Sequence, residues 1–494
     1  MSRVDERAYT AEFEKTIQYF RQELRIDKNF DIIHHELEHA GRKMGLFFVD
    51  GFTKDEVMVH ILKQLDSLDP EELSDAGDEA AVELVQSVIP YLEMDMTDYK
   101  DEAIDKILSG QAALVIERCK SIVLIDVREY PVRSPEEPDI ERVVRGPRDG
   151  FVETIIFNCA LIRRRVRDRS LVMEYLQVGQ RSKTDIALVY IDTIADPNLP
   201  KRIKREIRKI SVDGLAMGEK TLEEFIFGRH LNPYPMVRYT ERADTCAVHL
   251  MEGHVLVVVD GTPSVMICPT TFWHHMQHAE EYRQKPLVGA ALRWVRFVAV
   301  MTSLFLLPLW YIFATNTDLL PERLRFIGPE QIGHFSLFWQ FFIAEFGIEM
   351  LRMAAIHTPS ALATALGLVA AILIGDIAVQ VGLFSNEVVL YLAIAVIGTF
   401  ATPSYELSLA NRLSRVFFLI VSALFGPKGF VIAVLLWVVL LVCTKTLNLP
   451  YLWPFIPFDG KAFIDLLFRS PIPLKNKRFP VLNQKDIIRQ RPPK

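Results

Sequence analysis

The sequence predicts an α/β soluble N-terminal half made of two small subdomains, followed by an α-helical polytopic transmembrane bundle. Strand-like and helical segments alternate over residues 31–285, whereas a string of apolar blocks fills residues 293–446. The first block, residues 297–317, contains no charged residue. As a helix it would extend about 31 Å at 1.5 Å per residue, which is enough to cross the hydrocarbon core of a bilayer.

Composition narrows the classes of function. The chain has 494 residues, too many for one core, and a net charge of -6, which does not favour nucleic-acid binding. Its five cysteines are scattered without metal-ligand spacing, as expected in a reducing compartment. The sequence has no phosphate-binding loop, nucleophile elbow or dinucleotide fingerprint, so it predicts no enzyme, cofactor or metal site. The charged start lacks the apolar core of a signal peptide, so the first transmembrane helix should act as the targeting signal.

The first subdomain is expected at residues 31–128, after a solvated helical arm at residues 1–30. GLFFVDGF is typical of a strand and KDEVMVHILKQL of a helix, and QAALVIERCKSIVLIDV predicts two strands joined by a polar turn. Residues 129–151, EYPVRSPEEPDIERVVRGPRDGF, are rich in proline and charge. Such a composition favours an extended linker.

The second subdomain is expected at residues 152–285. ETIIFNCALIRRRVRDRSLVMEYLQVG predicts a helix and then a strand, and Asp260-Gly261 predicts a hairpin turn between VLVVV and SVMIC. FWHHMQHAEEYRQKP predicts a helix that ends before Pro286. Its His274 and His278 have metal-ligand spacing, but no third ligand is suggested. The arginine-rich run at residues 163–169 favours a subunit or headgroup contact over nucleic acid, because no aromatic platform accompanies it.

The transmembrane domain is expected at residues 286–450 and a basic cytoplasmic tail at residues 451–494. Arg283, Lys285, Arg293 and Arg296 precede the first block, so this side is predicted to be cytoplasmic, as is the C-terminus. Both ends inside require an even number of crossings: six, or four if two blocks are re-entrant or interfacial. The turn at residues 426–429, Gly-Pro-Lys-Gly, favours a helical hairpin. The further blocks are residues 335–356, 360–384, 388–402, 407–425 and 430–443.

Two acidic residues stand out inside the second block. Glu345 and Glu349 share one helix face, and Arg352 lies on the same side. Repeated around an oligomer, the two carboxylates would form rings of negative charge that attract cations. The same pattern also fits a helix lying flat at the membrane interface, or a structural Glu–Arg pair. Asp376, in the third block, fits a cation site or a helix-pairing contact with Gln380.

A break in the bundle is predicted at residues 402–408. Pro403 forces the residue before it out of helical geometry, and Ser404 can cap the next helix. Irregular backbone at membrane depth lies against protein or water, so this segment fits a hinge or gate. An ordinary cytoplasmic turn with positive-inside arginines is the alternative. The side chains that would belong to such a gate are Tyr405, Glu406, Asn411 and Arg412.

Several segments resemble the A-subunit family of bacterial spore germination proteins, the GerA type. They are NCALIRRRVRD, VGQRSKTDIALVYID, TPSYELSLANRLSR and LNLPYLWPFIPFD, in the family's order. The resemblance implies a spore inner-membrane protein that acts in germination, with a small membrane partner. It also implies a ring homo-oligomer that passes monovalent cations, with a pentamer as one size to test. Residues 351–357 depart from the run usual in nutrient-receptor subunits, which argues against direct nutrient sensing.

The first functional hypothesis is therefore an oligomeric cation channel in the lipid bilayer. Glu345, Glu349 and Asp376 would lie on the ion pathway, and the segment after Pro403 would form the gate. The alternative is a non-conducting nutrient-receptor or scaffold subunit that relays germinant sensing. A secondary transporter would need internal repeats, which the sequence does not show.

Overall fold

The computed structural model describes residues 3–39, 41–69, 78–89, 93–129, 141–228, 231–330, 333–357, 367–369 and 375–490. The chain divides into two compact units. The first comprises Met1–Arg229, Tyr239–Pro269 and Ile472–Lys494. The second comprises His230–Arg238 and Thr270–Pro471, so it begins before the predicted boundary at residue 286.

A five-stranded sheet organises the first subdomain. Its strand order is β1-β2-β4-β5-β3, and every neighbouring pair is antiparallel. Strands β4 and β5 are buried along their whole length, which explains their uninterrupted apolar sequences. The elements are α1 (Arg3–Glu23), β1 (Ile32–His39), β2 (Arg42–Val49), α2 (Asp55–Asp66), α3 (Asp78–Val88), β3 (Met94–Thr97), α4 (Lys100–Leu108), β4 (Ala112–Ile116) and β5 (Ile122–Ile125).

The N-terminal arm is a helix as predicted, but the expectation that it is solvated is wrong. Phe13, Ile17, Phe20 and Leu24 of this segment are buried in one core cluster with residues of β2, α4 and β4. The helix therefore covers one face of the sheet, because four apolar side chains at helical spacing need a surface to bury against. Strand β3 was also not foreseen from the sequence.

A second five-stranded sheet organises the second subdomain, in the order β6-β7-β9-β10-β8. The predicted hairpin is confirmed: β9 and β10 pair antiparallel, and Gly261 takes the left-handed φ of 84° that the turn needs. Helix α8 was not foreseen from the sequence. The elements are α5 (Ile155–Arg165), β6 (Leu171–Val178), β7 (Thr184–Ile191), α6 (Asn198–Arg208), α7 (Gly218–Phe227), β8 (Arg238–Thr240), α8 (Ala243–Met251), β9 (Val255–Val259) and β10 (Val265–Cys268).

Two arginines of the arginine-rich run tie the two subdomains together. The Arg163 guanidinium is fully buried and binds both carboxylate oxygens of Asp31, in the segment before β1. Arg169 donates to Asp101 at 2.5 Å and to Asp105 at 2.8 Å, both on α4. The predicted linker at residues 129–151 lies partly outside the described residues.

The end of the chain returns to the first unit. Lys485 N donates to Ile194 O at 2.9 Å, and Gln484 Nε2 donates to Glu252 O at 2.9 Å. The predicted tail at residues 451–494 is therefore divided, since residues up to Pro471 belong to the second unit.

The second unit is built from long apolar helices, and several of the neighbouring pairs run antiparallel. The Trp310 and Tyr391 rings lie 5.0 Å apart, while a Cβ at Gly398 would lie 2.3 Å from Ala299 O, so α13 runs opposite to α10 and only glycine allows their close approach. Helix α11 also runs opposite to α10. The elements are α9 (Ala279–Arg283), α10 (Pro286–Thr315), α11 (Leu337–His357), α12 (Ala378–Gln380), α13 (Asn386–Phe400), α14 (Tyr405–Cys443), β11 (Lys445–Thr446), β12 (Leu449–Pro450) and α15 (Gly460–Phe468).

The predicted helical hairpin at residues 426–429 is confirmed. Gly426 has φ 62° and ψ -151°, which breaks α14 into two limbs. The Phe418 and Trp437 rings lie 6.1 Å apart, whereas a continuous helix would separate them by about 28 Å. The limbs at residues 405–425 and 427–443 therefore fold back on each other.

The segment before α10 differs from the single helix that was predicted there. The helix predicted from FWHHMQHAEEYRQKP is a 3-10 turn at Phe272–Met276 followed by the short α9, and Pro286 begins α10. The block at residues 360–384 lies partly outside the described residues. By length and composition, two helices could cross a membrane among the described residues: Pro286–Thr315 and Tyr405–Cys443.

Candidate functional site

Glu345 lies at the centre of the helical unit and is ion-paired. Its side chain projects from α11 and is 6% exposed. Arg415 of α14 binds both carboxylate oxygens, with Nε at 2.7 Å and Nη2 at 3.0 Å. Nη2 donates the hydrogen bond of this pair to Oε2, and Nε adds a close charge contact with Oε1.

Arg415 also connects this pair to the remaining helices. Its Nη1 donates to Ser303 O of α10 at 2.6 Å and to Thr399 Oγ1 of α13 at 3.3 Å. The side chain is almost fully buried, so a single guanidinium contacts three other helices. The position of α14 relative to α10, α11 and α13 therefore depends on this one group.

One turn further along α11, Glu349 forms the outer part of the same network. It pairs with Arg352 on its own helix and with Arg412 on α14. Arg352 also donates to the Tyr405 hydroxyl at 2.6 Å, and its guanidinium carbon lies 5.4 Å from the Tyr405 ring centroid. The Glu349 side chain is 31% exposed, so the network extends from the interior to the surface.

The charges of this network do not cancel. Three guanidinium groups accompany two carboxylates, which leaves a net charge of +1.

The sequence correctly placed Glu345 and Glu349 on one face, and it also suggested a Glu–Arg pair. The interpretation of α11 as a flat helix with its charged stripe in water is wrong, because Glu345 is buried against α14. Arg412 and Arg415, three residues apart on α14, were a signal for the matching partner.

Asp376 lies apart from this network. It is exposed, and no hydrogen bond or ion pair joins it to Glu345, Glu349 or Gln380 among the residues that the structure describes. The expected Asp376–Gln380 contact is therefore not formed.

The predicted break at Pro403 is confirmed. Helix α13 ends at Phe400 and α14 begins at Tyr405, with Pro403 in the connection. The Ser404 hydroxyl oxygen accepts from Leu407 N at 3.3 Å and donates to Glu406 at 2.8 Å. Ser404 thus caps α14, and Glu406 supports the cap.

Asn411 belongs to a contact that the sequence did not reveal. Tyr234, in the segment before β8, donates to Asn411 Oδ1 at 3.3 Å and bonds Ser414 Oγ at 2.8 Å. Trp437 Nε1, on the other limb of α14, donates to the same hydroxyl at 2.5 Å. Burial raises the pKa of Tyr234 to about 12. One tyrosine therefore joins both limbs of α14 at the end opposite to Gly426.

A second buried charge cluster lies at the start of α10. Glu281 pairs with Arg293 at 2.7 Å and with Arg296. Arg293 Nη1 also donates to Asp465 O at 2.9 Å and to Leu466 O at 2.7 Å. Arg293 and Arg296, from which the cytoplasmic side was predicted, both pair with Glu281 inside the unit.

The histidines near α9 serve structural roles. His274 Nδ1 accepts from Thr271 N at 3.0 Å and completes a capping box. His275 is buried, and burial lowers its pKa to about 3, with the charge of Arg238 acting in the same direction. No cluster of three metal-ligating side chains occurs within the described ranges.

Comparison with known proteins gives the following similarities. The family model described as Bacillus/Clostridium GerA spore germination protein matches residues 18–481. Stage V sporulation protein AF of Bacillus subtilis (strain 168) is 46% identical over 481 residues, 96% of each chain. Spore germination protein KA of the same organism is 29% identical over 446 residues, 90% of this chain and 80% of its own. The crystal structure of the N-terminal domain of the A subunit of the Bacillus megaterium germinant receptor GerK3 has a TM-score of 0.40 at 21% identity, over 52% of this chain and 94% of that one.

Proposed function

The chain belongs to the GerA family of spore germination proteins, and from that premise we propose that it is a membrane subunit that passes monovalent cations during spore germination. Copies of the chain would form a ring homo-oligomer in the spore inner membrane and amplify the germination signal. A small membrane protein and other germination proteins would be its partners. The proposal needs no catalytic residue, cofactor or metal.

The outer surface of the helical unit supports a membrane location. Helices α10 and α14 are long and apolar enough to cross a bilayer. Large apolar side chains of α14 are exposed along both limbs, including Leu424, Phe425, Leu435 and Val439. Water-soluble monomers rarely expose such continuous apolar surface. Lipid would cover it.

Contacts inside the unit support an even number of crossings, and we propose that both ends of the chain are cytoplasmic. Thr446 Oγ1, just after α14, donates to Thr270 O, just before α10, at 2.6 Å. The helical region therefore begins and ends on the same side. We propose that α10, α11, α13 and the two limbs of α14 cross the membrane and that the total number of crossings is even.

The observation that carries the proposal is the charge network of Glu345, Glu349, Arg352, Arg412 and Arg415 inside the helical unit. A charged residue at the centre of a membrane helix costs about 2.5–3.5 kcal/mol on insertion scales, so such residues usually serve an ion pathway or a switch. Because the network joins α11 to α14, any sliding of α14 would have to break ion pairs.

We propose that these ion pairs hold the closed state. The net charge of +1 repels cations while the pairs are intact. Opening would separate Glu349 from Arg412 and turn its carboxylate towards the ring axis, where equivalent acids from other copies would attract cations. The Pro403 connection at the start of α14 would act as the hinge. The exposed Asp376 would be a further acid on the pathway.

Cation flux into proteoliposomes tests whether the acids and the arginines of this network have opposite effects on conduction. Glu349→Gln removes a carboxylate and leaves two guanidinium groups unpaired, so we expect several-fold slower K⁺ flux than in the wild type. Arg352→Gln releases Glu349 from one of its two partners, so we expect several-fold faster flux. Glu349 and Arg352 are both partly exposed, but Glu349→Gln also leaves the buried Arg412 without its carboxylate, so the opposite effect of Arg352→Gln is needed to exclude a folding defect.

The matched control is Glu322→Gln, which neutralises an exposed acid of the same unit and should leave flux unchanged. Damage to folding would slow flux in both test variants, whereas the proposal requires opposite effects. Identical flux in all variants would remove the network from the pathway. Wild-type vesicles that conduct no better than protein-free vesicles would reject the channel.

A non-conducting nutrient-receptor or scaffold subunit is the second candidate. It is favoured by one observation: arginines of the same chain neutralise both carboxylates of the network. Such a network would stiffen a relay element without any hydrated path. This candidate predicts no flux from the wild type, together with delayed germination of spores that carry Arg352→Gln.

A further inference from the structure

The segment after α14 exposes more apolar surface than a water-facing segment should. Phe455, Ile456, Pro457 and Phe458 are four consecutive exposed residues. Such a run is unfavourable in water unless another surface covers it. The two aromatic rings of this run are braced from behind by Phe463 of α15, at 4.8 Å from Phe455 and 5.6 Å from Phe458.

Helix α15 continues this surface on one side only. Ala462 and Leu466 are buried, whereas Ile464 is 57% and Phe468 is 59% exposed. The helix has nine residues and extends about 13 Å, so it is too short to cross a bilayer. Its outward apolar residues must therefore be covered by a surface against which the helix lies, since the helix cannot cross a bilayer.

The polar groups of α15 keep its ends near water. Asp459 Oδ1 accepts from Lys461 N at 3.1 Å and Ala462 N at 3.2 Å, which caps the helix. Asp465 Oδ1 accepts from Ser470 N at 3.0 Å, and Lys461 is exposed. Lys461 and Asp465 lie beside Ile464 and Phe468 along the outer face of α15, and a short helix with apolar and charged side chains together on its outer face is suited to a membrane–water interface.

The surface is continuous with the outer face of α10. The Trp294 and Phe468 rings lie 6.4 Å apart, and both side chains are exposed. Val295 and Val298 extend the apolar face along α10, a helix long enough to cross a membrane. Tryptophan at the edge of a span is typical of the headgroup level of the bilayer.

We propose that residues 455–468 form an interfacial anchor that lies in the headgroup and upper acyl region of the phospholipid bilayer. This inference rests on the proposed function, which places α10 across the bilayer: the occupant of this face is lipid, because the face joins the exposed apolar side of α10 at Trp294. The anchor would hold the end of α14 and the start of α10 at a fixed depth, since Arg293 bonds the α15 carbonyls of Asp465 and Leu466.

Spin-label depth measurements test this placement in full-length chain reconstituted into vesicles of phosphatidylcholine and phosphatidylglycerol. Nitroxides would be attached at Ile464→Cys, Phe468→Cys and Lys461→Cys in a background without Cys119 and Cys443. Molecular oxygen partitions into lipid, whereas a neutral nickel chelate stays in water. At positions 464 and 468 we expect collision rates with oxygen several-fold above those with nickel, and the reverse at position 461.

A label at Val298→Cys separates this proposal from membrane insertion as such. If position 298 contacts lipid while 464 and 468 collide mainly with nickel, the anchor is wrong and the span stands. If 464 and 468 are shielded from both reagents, a protein covers the face and the lipid assignment is overturned. If position 298 is also water-accessible, both the anchor and the span of α10 fail.

Discussion

Replacing Arg415 with methionine should destabilise the helical unit, because Glu345 keeps its carboxylate and loses its cation. The acid is 6% exposed, and its two oxygens lie 2.7 and 3.0 Å from nitrogens of the Arg415 guanidinium. Removing one partner of a buried ion pair costs about 3–5 kcal/mol. Ser303 O also loses its 2.6 Å bond, which adds about 1 kcal/mol. Arg415→Met is thus expected to lower the free energy of unfolding by about 5 kcal/mol.

Adding Glu345→Leu should reverse most of this loss. Replacing both charges of a buried pair with apolar side chains of similar size is often neutral or stabilising. The double variant is therefore expected within about 2 kcal/mol of the wild type, so the two substitutions are strongly non-additive. That coupling separates a true ion pair from two independently important residues.

Intrinsic fluorescence gives a clean assay, since all six tryptophans lie within residues 270–471 and report on this unit alone. Full-length chain in mild detergent would be unfolded by titration with sodium dodecyl sulfate. The control is Arg352→Met, whose partly exposed pair should contribute about 1 kcal/mol or less. The reasoning fails if Arg415→Met costs no more than this control, or if the double variant loses the sum of the single losses.

Two further predictions concern the same unit and use the same fluorescence assay. Gly426→Ala should lower the free energy of unfolding by about 1–3 kcal/mol through backbone strain alone, because φ is 62° and no atom lies within 4 Å of the new Cβ. The control Gly460→Ala, at a glycine without a left-handed φ, should cost less. Equal losses in the two variants would contradict the strain at the reversal. Lowering the pH from 7 to 5 should cost about 2 kcal/mol through His275, because the unfolded state takes up a proton below about pH 6.5 whereas burial holds the folded pKa near 3. Stability is thus lost as the pH falls through that window. His275→Asn should remove this part of the pH dependence, whereas His334→Asn, at an exposed histidine, should not. An unchanged pH profile of stability in His275→Asn would refute the assignment to His275.

Local sequence features anticipated much of the secondary structure. The Asp260-Gly261 turn, the Ser404 cap and the Gly426 reversal are each decided by residues within a few positions of one another. Helix periodicity also placed Glu345 and Glu349 on one face. These features depend on backbone preference and side-chain spacing, which a sequence displays directly.

Partners distant in the chain were harder to anticipate. Arg415 lies 70 residues from Glu345, and Tyr234 lies 177 residues from Asn411. A periodic pattern shows which face of a helix is polar, but not which surface meets it. For the same reason, the sequence did not reveal that Arg293 bonds α15 and Glu281 inside the unit.

By itself, the sequence determined that this protein combines two α/β regions with a run of apolar helices, since length, alternation and charge distribution are properties of the chain. Only the tertiary structure decided that α1 covers a sheet, and that the acids of α11 are neutralised by arginines of α14. The physical reason is that burying an apolar face or a charge requires a complementary surface. Which segment supplies that surface is settled by packing of the whole chain.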